Sequence, residues 1–229
     1  MRASSCRAAW SVVGDAANVS GTTSLLDLGC GDGGFCAFAA RRGATVHGLD
    51  VEPDTIALAL ERVPGGEFRL GLMERLPWPD SSFDVVTSFN ALQYALDPEL
   101  ALIEACRVVR PQGRIAVCKW GPPAQNEFFI FLASIGANGL RGDRLPPVDP
   151  VDEAIRATRV KVLAMGDVPA PIEMADADAL EASLAQAGIV ADPVAATAET
   201  DVTAAAAPYR QKDGAYRFAN RLRYWILAP

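Results

Sequence analysis

At 229 residues the chain can bury one substantial core, and a half-hydrophobic, 21% charged composition is that of a folded globular protein rather than a disordered one. A formal net charge of −7 and an isoelectric point near 4.8 argue against a phosphate-backbone partner, which would need clustered Lys and Arg, so no nucleic acid is expected. No segment approaches the roughly 18 uninterrupted apolar residues of a membrane span, and no apolar leader with a cleavage site opens the chain; the expectation is a cytoplasmic protein with no membrane partner.

The predicted elements alternate between strand and helix. A short buried strand at 24–28 leads into Gly29, Cys30, Gly31, Asp32 and Gly33, a turn that glycine makes possible, and a helix follows at about 35–42. The second strand, 45–49, ends at Asp50. Strand, glycine loop, helix, second strand and terminal acid within about 30 residues form a site for an adenosine-bearing ligand: the loop lets the backbone approach the ligand, and the acid can accept bonds from both ribose hydroxyls. Asp27 before the loop and Asp32 within it would repel a pyrophosphate, whereas an ammonium group would be welcome there. The loop also lacks the Gly-Lys-Ser/Thr ending of a phosphate-binding P-loop.

Helices are expected at 53–62 and 98–108, the latter started by Asp97 before Pro98, and strands at 68–70, 83–88 and 114–119. This pattern predicts a doubly wound, mostly parallel sheet with helices on both faces and right-handed crossovers. After Trp120 the prolines and glycines between 122 and 147 break the rhythm, and 121–170 reads as an insertion over the mouth of the sheet. Within it, 128–132 (Phe-Phe-Ile-Phe-Leu) predicts an apolar helix that could cover a substrate pocket or simply pack on its own domain. A helix at 176–187 ended by Gly188 and a sixth strand beginning at Ile189 and Val190 follow. The small-residue run 204–207 before Pro208 reads as helix or loop.

The motif Leu25-Leu26-Asp27-Leu28-Gly29-Cys30-Gly31-Asp32-Gly33-Gly34 with Asp50, the segment 71–80 around Met73 and Glu74, the run 83–92 (Phe-Asp-Val-Val-Thr-Ser-Phe-Asn-Ala-Leu), and 107–114 together resemble the class I, seven-stranded S-adenosylmethionine-dependent methyltransferases. The resemblance is closest to the small-molecule branch of quinone-biosynthesis and natural-product enzymes and covers roughly 25–120. It implies a Rossmann-like seven-stranded sheet whose antiparallel last strand is the tail 216–218 and 222–227, a single methyltransferase domain over 1–229, and S-adenosyl-L-methionine as cofactor. It further implies that Asp27, Gly29, Cys30, Gly31, Gly33, Asp50, Val51, Met73, Glu74, Phe89 and Asn90 hold that cofactor. Two positions depart from the family: Gln112 stands where glycine is usual, and Leu72 stands where an acid commonly bonds the adenine amino group, leaving that end to Met73 and Glu74.

Methyl transfer is an in-line displacement with a neutral thioether leaving group, so alignment of the nucleophile and exclusion of water come first and a general base is optional. His47, the only histidine, lies inside the second strand and reads as a core residue before it reads as a base. Tyr94, with Gln93 beside it, and more weakly Glu127, are the candidates for acceptor contact or proton removal; Tyr94 could equally be an aromatic on a first helical turn. Trp10, Trp78 and Trp120 could wall a pocket or be core. The run after Phe89 lacks the Asn-Pro-Pro-Tyr pattern of enzymes that methylate base amino groups. Five cysteines with no C-x-x-C pair fit reduced thiols, with no disulfide framework and no metal site.

The expectation is methyl transfer to an O, N or C nucleophile of a small organic acceptor in secondary metabolism. Two alternatives keep the cofactor: a rearrangement or cyclisation that uses the bound sulfonium electrostatically, and a non-catalytic cofactor-binding subunit. A nicotinamide-dependent oxidoreductase ranks last.

Overall fold

The computed structural model describes residues 4–136, 149–186 and 202–229. In chain order the elements are α1 (Ser4–Ala16), β1 (Ser24–Leu28), α2 (Gly34–Arg41), β2 (Thr45–Asp50), α3 (Pro53–Arg62), β3 (Glu67–Leu70), β4 (Phe83–Phe89), α4 (Pro98–Val108), β5 (Val109–Trp120), α5 (Glu127–Ser134), α6 (Pro150–Thr158), β6 (Lys161–Pro169), β7 (Ile172–Met174), α7 (Ala177–Gln186), α8 (Val202–Ala206), β8 (Tyr216–Phe218) and β9 (Arg221–Ala228). The main sheet runs β3-β2-β1-β4-β5-β9-β6, with β1 parallel to both β2 and β4, and β9 antiparallel between β5 and β6. The Rossmann-like, doubly wound sheet with an antiparallel last strand is therefore the observed architecture. None of the helices among the described residues is long and apolar enough to cross a membrane.

The helices start and stop for local reasons. Pro53 and Pro98 take the first turns of α3 and α4, where a missing N–H costs nothing. Asp97 caps α4 by accepting the N–H of Leu100 at 3.0 Å, and Asp149 caps α6 through Val151 at the same distance. β5 begins five residues earlier than its apolar run suggests. It pairs with β4 at Phe83–Val109 and again from Val85–Arg114 onward, so residues 110–113 are looped out between two stretches of one ladder.

The chain divides into two compact units. One contains the described residues of Arg7–Lys119, Pro146–Val168 and Leu222–Pro229, with the sheet and a core of Leu26, Leu28, Leu49, Phe83, Val86, Ile115 and Trp225. The other contains the described residues of Met1–Cys6, Trp120–Leu145 and Pro169–Arg221. Its core is Phe131, Leu132, Leu180, Leu184, Tyr216 and Phe218, beside the small antiparallel pair β7-β8. α5, the apolar helix expected at 128–132, buries Phe131 and Leu132 in this second core.

Three elements, α5, α6 and β6, fall inside the stretch read from sequence as an insertion. α6 and β6 belong to the sheet unit, and β6 is the sixth strand in chain order. The prolines ahead of 149 hide their restart, and Gly166 and Asp167 within β6 weaken its strand signature. The sixth strand expected at Ile189 and Val190 lies outside the described residues.

Candidate functional site

The site is assembled where β1, β2 and β4 end at their carboxyl edges, the place where open α/β sheets bind ligands. The carbonyl of Leu49 accepts the N–H groups of both Gly29 and Cys30, at 2.8 and 3.0 Å, stitching the glycine loop to the end of β2. Cys30 O then accepts the N–H of Gly33 at 3.0 Å and closes the turn into α2. Gly29 adopts φ 69°, and a Cβ there would stand 2.2 Å from Cβ of Ala91 and 3.3 Å from Cε of Met73. Only glycine lets these three segments meet. At Gly33, φ 73°, a Cβ would stand 3.1 Å from Ala59 of α3.

Asp50 is preorganised by the backbone. Its Oδ2 accepts the N–H of Gly31 at 2.8 Å and its Oδ1 that of Glu52 at 3.1 Å, so each oxygen keeps acceptor capacity for a further donor. That is the acceptor set a ribose diol needs. Asp27 is buried, with its Oδ1 accepting the Thr87 hydroxyl at 2.7 Å and the Cys36 thiol 3.9 Å from Oδ2. Burial, helped by the negative charge of Asp50 and opposed by the Thr87 and Cys36 bonds, pushes Asp27 up to about 7. Burial also raises the thiols of Cys30 and Cys36, so both remain protonated.

Asp32 differs from the sequence expectation of a second bare carboxylate in the loop. It accepts the N–H of Gly34 at 3.2 Å and pairs with Arg62 of α3 at 2.5 Å. The unpaired acidic character of the site therefore comes from Asp27 and Asp50.

Of the remaining predicted residues, Met73 reaches the glycine loop through its contact with position 29, and Val51 follows Asp50 with its side chain exposed. Phe89 packs on Phe35 of α2 with centroids 4.3 Å apart and the rings tilted by 38°. Asn90 sits at φ 52°, and its N–H donates to Cys118 O at 2.7 Å, which turns the chain away from β4 toward the site. Glu74 Oε1 accepts the N–H of Asp97, so its carboxylate also holds the entry to α4. Tyr94 is 75% exposed on a 3-10 turn, Leu92–Tyr94, and the neighbouring Gln93 Oε1 is buried without a hydrogen-bond partner. Glu127 lies in the other unit, where it exchanges backbone and side-chain bonds with Ala219. His47 packs edge-on against Phe83 and Trp78, with Nδ1 3.3 Å from Leu25 O. Trp10 packs on Phe35 and Phe38. Among the described residues no His, Cys, Asp and Glu cluster could hold a metal ion.

Sequence reasoning missed Thr87, Cys36 and Ala91. A threonine in the apolar run 83–89 was the available signal for the first; the other two are small residues whose importance depends on what lies opposite.

Comparison with known proteins agrees with this geometry. Residues 26–117 match the methyltransferase domain family. A malonyl-[acyl-carrier protein] O-methyltransferase of Serratia marcescens is 38% identical over 91 residues, 40% of this chain and 36% of that protein. Nocamycin O-methyltransferase of Saccharothrix syringae is 36% identical over 171 residues, 69% of this chain and 58% of its own length. This chain thus spans less than two thirds of either relative. The solved structure of the YcgJ protein from Bacillus subtilis superposes with a TM-score of 0.66 at 19% identity, covering 96% of this chain and 97% of that one, and shares the fold. The fold and the glycine loop thus stand together with a methyltransferase-domain match over residues 26–117.

Proposed function

We propose that this protein transfers the methyl group of S-adenosylmethionine to an O, N or C nucleophile of a small organic acceptor, as part of secondary metabolism in the cytoplasm, with neither nucleic acid nor membrane as partner. The observation that carries the reading is the Asp50 carboxylate, held by Gly31 and Glu52 with an acceptor site left on each oxygen, beside a buried Asp27 poised to ionise. When bound, the cofactor supplies an electrophilic methyl group on a cationic sulfur. Asp50 would hold the ribose diol, Asp27 and Asn90 the amino-acid end, and Met73 with Glu74 the adenine side. Gly29, Cys30, Gly31, Gly33, Val51 and Phe89 would form the surrounding wall.

Alignment then does most of the chemistry, because a neutral thioether leaves and no anion has to be stabilised. Tyr94 and Gln93 lie on the turn after β4 and would contact the acceptor, Gln93 through a buried side-chain carbonyl with no hydrogen-bond partner of its own. The names of the relatives support small-molecule chemistry: one acts on malonyl-acyl-carrier protein and the other is a nocamycin O-methyltransferase.

The test is a calorimetric titration with S-adenosylhomocysteine followed by incubation of methyl-labelled cofactor with panels of phenols, carboxylic acids, amines and enolisable carbonyls. Saturable binding and label in a product are expected. Binding without label in any product would favour the cofactor-dependent rearrangement or the non-catalytic subunit; no binding would overturn the assignment.

A further inference from the structure

We propose that the free edge of β6 is the surface on which two copies of this chain associate, β6 of one pairing antiparallel with β6 of the other across a two-fold axis. β6 is the last strand of the main sheet, bonded to β9 on one side and, among the described residues, to no strand on the other. Such an edge presents a row of peptide N–H and C=O groups that invites another strand. Its side chains are apolar and stand in water: Val162 is 46%, Leu163 40% and Met165 60% exposed, with Ala164 exposed between them.

The opposite edge of the same sheet is built differently. β3 has only four residues, two of them charged, Glu67 and Arg69. That is the usual protection against edge pairing, and the centre of β6 lacks it, having no charged residue between Lys161 and Asp167.

β6 is also complementary to itself. In an antiparallel pair centred on Ala164, Lys161 faces the partner's Asp167, Val162 faces the partner's Gly166, and Leu163 faces the partner's Met165. The two-fold axis repeats each pair, so charge meets opposite charge at both ends and apolar side chains meet between. Lys161, Leu163, Met165 and Asp167 share one face of the pleat, as directly opposed residues must. Asp167 is held in place by Arg223 of β9, at 2.9 Å.

Sedimentation velocity on the full chain tests this. A species of twice the 24.2 kDa chain mass is expected, weakened by salt. Met165→Lys and Lys161→Glu should each raise its dissociation constant by about tenfold or more, since each change is felt twice across the axis. Neither residue belongs to the cofactor site, so S-adenosylhomocysteine affinity should be unchanged in both variants, which also shows that they fold. Hydrogen exchange on the unaltered protein gives an independent reading: amides of 162–166 should be protected at high concentration and exchange faster on dilution. A monomer at every concentration up to ~100 µM, a range that captures ordinary protein interfaces, would overturn the proposal. So would a dimer that both variants leave intact, or one whose β6 amides exchange at the same rate on dilution.

Discussion

The hydroxyl of Thr87 donates to Oδ1 of Asp27 at 2.7 Å, joining the ends of β4 and β1 through a carboxyl that is itself cut off from water. Desolvation moves that carboxyl from the ordinary aspartate range up to about 7, so its charge is decided at neutral pH. A cationic ligand would pull it toward the ionised form.

Two pH dependences are expected. From about pH 4 to 7 the folded chain keeps a proton on Asp27 that the unfolded chain has lost, so this group makes the ligand-free protein less stable as pH rises, levelling off above 7. The full effect is on the order of 4 kcal/mol at most. Asp84 and Glu104 work in the opposite direction but at lower pH. Burial of Asp84 is outweighed by its bonds from Ser24 N–H and Arg110, and Glu104 is held low chiefly by Arg107. Urea unfolding at pH 5 and pH 8 should show the slope, and Asp27→Asn should flatten it. S-adenosylhomocysteine should bind more tightly at pH 8 than at pH 5 in the unaltered chain only; an equal gain in Asp27→Asn would remove Asp27 from the ammonium site.

Asp50→Ala should weaken cofactor binding by about 1–3 kcal/mol, the cost of taking a carboxylate from paired hydroxyls. It also orphans the N–H groups of Gly31 and Glu52, so a modest loss in melting temperature should accompany it. Calorimetry checks the first effect and thermal unfolding the second. Unchanged affinity in a folded variant would count against the ribose assignment.

Gly29→Ala should cost about 1–3 kcal/mol of stability, from the left-handed backbone and the collision with Ala91, and should abolish measurable cofactor binding. Adding Ala91→Gly relieves the collision while leaving the backbone strain, because the next Ala91 atom is 3.6 Å away. Partial recovery of stability in the double variant, read by denaturation, is the expected result; strict additivity would show that the contact does not matter.

Tyr94 and Glu127 should separate in kinetics. Tyr94→Phe leaves folding and cofactor affinity intact, since the side chain is exposed, and should raise the acceptor KM several-fold if the hydroxyl meets substrate. Glu127→Gln weakens the bond to the Ala219 N–H and should show mainly as lower stability, because that bond ties α5 to its own unit. A large fall in kcat with unaltered stability in Glu127→Gln would restore it as a base.

Much of the first half of the fold was legible because the signals there are local. β1, α3 and α4 fall at their expected bounds: apolar runs bracketed by Gly, Pro and Asp act on their own neighbours within a turn or a strand. The early start of β5 was not legible, since it depends on Phe83 meeting Val109 across the sheet. Nor was the position of β6 in the sheet, whose residues Lys161–Pro169 carry a weak strand pattern and are placed by β9 from the far end of the chain.

The sequence alone determined the class of site, because a glycine loop between a buried strand and a helix, followed by an acid ending the next strand, can be recognised from spacing within one supersecondary unit. Tertiary structure decided what each acid does there. Asp27 and Asp32 are five residues apart and chemically identical, yet one is buried against Thr87 and Cys36 while the other is exposed and paired with Arg62. Burial and charge partners come from residues far along the chain, and they set the charge of a carboxyl that its own neighbours cannot.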